Sequence, residues 1–103
     1  TNSTESLTNS SSAISVSTAI SLVDSSGGAT GLSLAAGVTG QMKTIICTTA
    51  GNNITITPAA TVGSGTTIVL DAAGETVTLV YTGSAWAAVA TSSFASSIST
   101  VIQ

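Results

Sequence analysis

A chain of 103 residues with five formal charges, a single lysine and no histidine lacks most of the groups on which protein chemistry runs. Ordinary domains are roughly 25% charged; here 19 Thr and 18 Ser stand in that place. A net charge of −3 with one cation cannot neutralise a phosphate backbone, and one Cys without His leaves no zinc or iron–sulfur ligand set.

Catalysis by general acids and bases loses its commonest residue with His. No enzyme activity, metal or cofactor is therefore expected. No apolar run reaches the ~18 residues of a membrane helix, so no membrane partner is expected. The length fits one domain with a modest core. A weakly charged, hydroxyl-rich surface on such a core suggests burial completed against other subunits.

Residues 1–12 are polar and patternless and read as a flexible N-terminal arm. Leu7 is its only large apolar side chain and the candidate for contact with a neighbour. Nothing in Thr1–Ser6 has the basic and apolar regions of a secretory signal. From Ala13, the apolar series Ile14, Val16, Ile20 and Leu22 alternates with Ser and Ala, which predicts one strand with one buried face. Asp24–Gly28 breaks it as a turn.

Gly31–Leu34 is a short strand and 35–40 a turn. Met42–Thr48 is a strand with Ile46 opposite Ile45, both faces partly covered. Cys47 on that strand reads as a buried, inert thiol. Asn53–Thr57 alternates cleanly up to Pro58, which cannot donate to a ladder. After a loop, 66–70 is a β-branched run and 71–74 turns again. Thr76–Tyr81 is a strand with Val77, Leu79 and Tyr81 on one face. Residues 85–90 carry Trp86 among small alanines. Turns every 8–12 residues between short strands predict an all-β fold. The expected form is a compact antiparallel β-sandwich or barrel of about 7–8 strands over 13–90. The unequal spacing of Gly51, Gly65, Gly74 and Gly83 argues against a regular solenoid. Residues 91–103, with Phe94, read as an extended C-terminal tail or edge strand.

Six residues stand out. Lys43 reads as an edge-strand charge that blunts sheet pairing. Its alternatives are a salt bridge to Asp71 or Glu75, or an isopeptide crosslink in an apolar core. Asp71 and Glu75 flank a turn; turn chemistry explains them better than a catalytic pair. Trp86 is a core anchor or an interface hot spot. Leu7 and Phe94 are candidate contacts of the two ends.

Residues 31–90 resemble a recurring β-rich module of tailed-phage virion proteins. The pieces that carry the likeness are Leu32-Ser33-Leu34, Gly40-Gln41-Met42-Lys43-Thr44-Ile45 and Ile54-Thr55-Ile56-Thr57-Pro58. They continue with Thr66-Thr67-Ile68, Asp71-Ala72-Ala73-Gly74-Glu75-Thr76-Val77-Thr78-Leu79-Val80-Tyr81 and Trp86. The resemblance implies a module of the virion exterior, made in the host cytoplasm. It is found either as a capsid decoration (cement) protein or within tail fibres. A chain of this length without a shaft fits the stand-alone decoration protein. That protein would be a homo-oligomer, a trimer before a dimer, bound to the major capsid protein. The alternative is a receptor- or glycan-binding tail-fibre or adhesin domain. In either case Lys43 and Glu75 are structural parts of the module.

Overall fold

A computed structural model of the chain describes residues 3–49, 51–62, 67–92 and 99–100, which hold strands joined by turns, bends and irregular segments, with no helix among them. Ten strands occur: β1 (Thr4–Thr8), β2 (Ala13–Ile14), β3 (Ile20–Asp24), β4 (Thr30–Leu34), β5 (Met42–Thr49), β6 (Ile54–Pro58), β7 (Ile68–Leu70), β8 (Thr76–Tyr81), β9 (Trp86–Ser92) and β10 (Ser99–Thr100). The first sheet runs β1-β3-β5-β8-β9 and the second β10-β7-β6-β4-β2. Each sheet has two terminal strands in its pairing order, so neither is a closed barrel.

The all-β expectation holds, but the antiparallel one does not. The pairs β1–β3, β3–β5, β2–β4 and β4–β6 are all parallel. Up to β6 the chain changes sheet after every strand, so each strand re-enters its own sheet in the same direction. Parallel neighbours need a crossover; here the crossover is a strand of the opposite sheet. The result is a solenoid-like winding of unequal turns. Thr4 pairs with Ile20, but Ile20 pairs with the more distant Thr44. No fixed period exists to be seen. From β7 on, the strand pairs are antiparallel, and an isolated parallel bridge joins Trp86 to Thr61.

The expected strand over 13–22 is two strands in different sheets. Ser15, Ser17 and Thr18 bond locally instead of to a ladder. The Ser15 and Ser17 hydroxyls lie 2.7 Å apart, Ser17 N–H donates to Ser15 Oγ at 3.1 Å, and Thr18 Oγ1 donates to the Ser15 carbonyl at 3.5 Å. Such local bonds compete with sheet pairing and turn the chain. The predicted facing holds for Ile14, which is buried, and reverses in β3. Ser21 and Val23 are buried, whereas Ile20 and Leu22 point away from the core.

The flexible-arm reading also fails for Thr4–Thr8, which form β1 and pair along their length with β3. The strand was hidden because its inward residues are only Glu5 and Leu7. Leu7 is 9% exposed and lies in the core cluster, so it is not a free contact point. The tail expected from 91 begins inside β9, and Ser99–Thr100 pair with β7 at the edge of the second sheet. Phe94 lies outside the described residues.

One cluster of buried side chains joins both sheets. Val23, Ile45, Cys47, Val77 and Leu79 come from the first, and Leu32, Leu34, Ile54, Ile56, Ile68 and Leu70 from the second. Corners of successive turns stack, which explains the small polar residues there. Ser25 Oγ donates to the Asn52 carbonyl at 2.7 Å, and Asn52 Nδ2 returns a bond to the Ser25 carbonyl at 3.0 Å. Asn9 covers Gly27 so closely that a Cβ on that glycine would sit 2.5 Å from Oδ1.

Candidate interaction surface

Lys43 lies on β5, the middle strand of the first sheet, and its side chain is fully buried. Neither Asp71 nor Glu75 is its partner. Nζ sits 3.6 Å from Glu5 Oε2 on β1, and donates to the Thr18 carbonyl at 2.9 Å and to Thr18 Oγ1 at 2.6 Å. Glu5 Oε2 also accepts from Ser15 N–H at 2.9 Å and from Ser21 Oγ at 2.5 Å. Lys43 is therefore no edge-strand charge. Glu5 takes a related part: it is an inward-pointing charge on a terminal strand, a device that blunts edge pairing. Among the described residues, no Asn or Asp binds Nζ, so the isopeptide reading has no partner group.

Burial pushes the Lys43 ammonium below the usual lysine value, against the pull of Glu5. Burial alone would raise the Glu5 carboxyl. The Ser21 hydroxyl, the Ser15 amide and Lys43 outweigh it and hold the carboxyl below its ordinary value. The network fastens β1 to β3, β5 and the β2–β3 crossover. It holds a charge pair in place.

Trp86 is fully buried at the start of β9. Its Nε1 donates to the Ala35 carbonyl at 2.9 Å, and its ring meets Tyr81 edge-on, with centroids 5.1 Å apart at 69°. The indole packs over Gly37, where a Cβ would sit 3.0 Å from the ring. Trp86 thus ties β9 to the 35–41 crossover and presents nothing to a partner.

Asp71 and Glu75 do meet, around the β7–β8 turn. The fully buried Glu75 accepts on Oε1 from the N–H groups of Asp71 at 2.6 Å and Ala72 at 3.0 Å. Gly74, with φ of 91°, lets the turn close and donates to the Cys47 carbonyl at 2.8 Å. A hydrogen bond to Glu75 raises the exposed Asp71 carboxyl above its ordinary value. Cys47, buried in the neighbouring β5, has its thiol pushed up by burial and then by Glu75, Asp24 and Asp71, which makes it a poor nucleophile. Glu75→Ala leaves two turn amides without their acceptor. A loss of about 2 kcal/mol is expected, read as a lower midpoint in urea unfolding.

The largest unexplained feature is the face of the first sheet turned away from the core. The register sets its side chains in rows. Leu22 lies beside Ile46 and Thr76; Ile20 beside Thr44 and Thr78; Met42 beside Val80 and Ala87. Ile20, Leu22, Ile46 and Val80 are partly exposed, and Met42 and Val89 are 57% and 56% exposed. Val89 stands at the bulge between the Thr78 and Leu79 pairings. Only Asp24, at the margin, brings a charge to this face. The corresponding face of the second sheet carries Ala13, Gly31, Ser33, Thr55, Thr57 and Val69. The outer face of the second sheet is thus small and mostly hydroxylated, whereas that of the first mixes large apolar side chains with threonines and ends in a hydroxyl margin of Thr4, Ser6 and Thr8 on β1.

Sequence reasoning named none of these apolar residues as a site, because apolar type alone assigns a residue to the core. The available signal was Ile46 facing opposite to Ile45. Among the described residues, no group of three or more His, Cys, Asp or Glu could hold a metal. No family model matches the chain, and no curated protein or solved structure matches it.

Proposed function

We propose that the chain is a phage capsid decoration (cement) protein, a β-sandwich that binds the outer shell and stabilises it, and not an enzyme. The observation that carries the reading is the outer face of the first sheet, where Ile20, Leu22, Met42, Ile46, Val80 and Val89 are exposed or partly exposed and Asp24 at the margin is the one charge. Apolar patches of more than a few hundred Å² are rare on free monomers and mark interaction surfaces. The buried charge network, the buried indole and the capped turn all serve the fold, which leaves surface contact as the means of action. The resemblance of residues 31–90 to virion modules supplies the setting: the capsid exterior, with the major capsid protein and copies of the chain as partners. A ligand of the assembled shell that does not bind its dissociated subunits stabilises the shell by mass action. Capsids from a phage lacking this gene are expected to release DNA at lower temperature, and added protein to restore them. Unchanged thermal release, with no protein sedimenting with capsids, would contradict the proposal.

A second reading has its own observation. An open cleft of about 440 Å³ is lined by Gly51, Asn52, Asn53, Asp71, Ala72 and Ala73. Its amide and carboxyl groups suit a glycan, as a tail-fibre or adhesin domain would require. The cleft offers no aromatic ring for a sugar to stack on, which leaves the decoration reading ahead.

A further inference from the structure

The apolar face needs an occupant, and its composition says which kind. We propose that it is the two-fold interface between two copies of this chain, stacked sheet on sheet. The inference deepens the self-association in the decoration reading and names the surface that performs it.

Charge is the first ground. Stacking a face on itself about a two-fold axis sets the groups near that axis against their own copies, so like charges there would repel. In this sheet the charges that could interfere are turned inward or placed at the rim. Glu5 and Lys43 neutralise each other on the core side. Asp24 ends β3, so a two-fold axis through the middle of the face holds the two copies of Asp24 at opposite ends. The carboxylate is also occupied, since Oδ1 accepts from Ser26 N–H at 2.9 Å.

The second ground is the polar groups in the middle of the face. Thr44 and Thr78 lie side by side, and their hydroxyls bond to each other at 3.1 Å. They can enter a dry interface with that bond intact, which satisfies one of the two hydroxyl protons and lowers the cost of burying the pair. Ile20, Leu22, Ile46, Met42 and Val80 surround them.

Area is the third ground. Five strands at ~4.8 Å spacing and ~3.3 Å per residue, with the hydroxyl margin of β1 included, give a face of roughly 500 Å² in projection. Two such faces in contact remove at least ~1,000 Å² from water, the lower limit of a specific interface. Twisted sheets stack face to face at about −30° with ~10 Å between them, and side chains of this size fill that space. The second sheet, with its Ser, Thr and Gly face, then stays outermost on both sides of the dimer.

Sedimentation velocity of the full chain over a concentration series tests the proposal, with binding to capsids measured in parallel. The expected result is a dimer that Ile46→Lys converts to monomer, while Thr57→Lys on the second sheet leaves it intact. Should Ile46→Lys fail to fold, Thr44→Cys decides the matter: oxidation is expected to give a covalent dimer, and Thr57→Cys to give none. A monomer at all concentrations, or a trimer that survives Ile46→Lys, overturns the interface. A chain that dimerises this way but never binds capsids removes the decoration reading and leaves the interface standing. A monomer that binds capsids does the reverse.

Discussion

Glu5→Ala is expected to lower the unfolding free energy by about 3 kcal/mol, the size typical of a buried ion pair deprived of one partner. The loss comes from what stays behind. Lys43 remains fully buried at the middle of the sheet, where among the described residues Thr18 is left to receive its protons. The pair itself is not expected to be a net source of stability, because taking both charges out of water offsets their attraction. A triple variant, Glu5→Leu, Ser21→Ala and Lys43→Met, removes both charges and the hydroxyl that would lose its acceptor. It is expected to recover to within about 1 kcal/mol of the parent. Urea unfolding of the parent, single and triple variants gives both numbers. Glu5→Gln adds a pH signature. The Glu5 carboxyl is held below its ordinary value of 4.5. Its contribution is therefore complete above that value and is lost as pH falls through the lower, folded-state value. The stability gap between the parent and Glu5→Gln is expected to narrow over that acid range and to be constant near neutrality.

Trp86→Ala is expected to cost about 4 kcal/mol, a large part of the roughly 5–15 kcal/mol that holds a small domain together. The indole fills the space between β9 and the 35–41 crossover. Removing it opens a cavity beside Tyr81 and Gly37 and frees the Ala35 carbonyl. Trp86→Phe separates the two effects. It keeps much of the packing, loses the Nε1 bond, and is expected to cost about 1–2 kcal/mol. Calorimetric unfolding of both variants reads the difference, and equal losses in the two would contradict a packing role.

These two sites also show where the sequence was readable. Val77, Leu79 and Tyr81 alternate with Thr76, Thr78 and Val80, and that strand forms with the expected face inward. Trp86 among small neighbours was legible as an anchor because little else in the chain could fill a core. The partner of Lys43 was not legible. It comes from a segment with no apolar pattern, since β1 turns inward a partly buried carboxylate as well as a leucine. The alternation from Ile14 to Leu22 misled because Ser15 and Ser17 look like outward strand positions. Their hydroxyls in fact bend the chain from one sheet to the other. The parallel winding was hidden by its unequal turns. The apolar outer face was hidden because Ile20 and Leu22 are indistinguishable by type from the core residues Ile54 and Leu70. Only the register, which sets Leu22 beside Ile46 and away from Val23, separates the two classes.

The low charge of the chain acquires a physical meaning from this arrangement. Its one cation and one of its acids neutralise each other inside, Glu75 caps a turn, and Asp24 and Asp71 sit at corners. The face that remains is free of repulsion between copies. Cryo-electron microscopy of the virion tests directly whether a chain with this face covered serves a capsid. The predicted result is density for this chain on the outside of the shell, in contact with the major capsid protein, with the first sheet covered. Shells that carry no copies, or copies whose first sheet faces solvent, would contradict it.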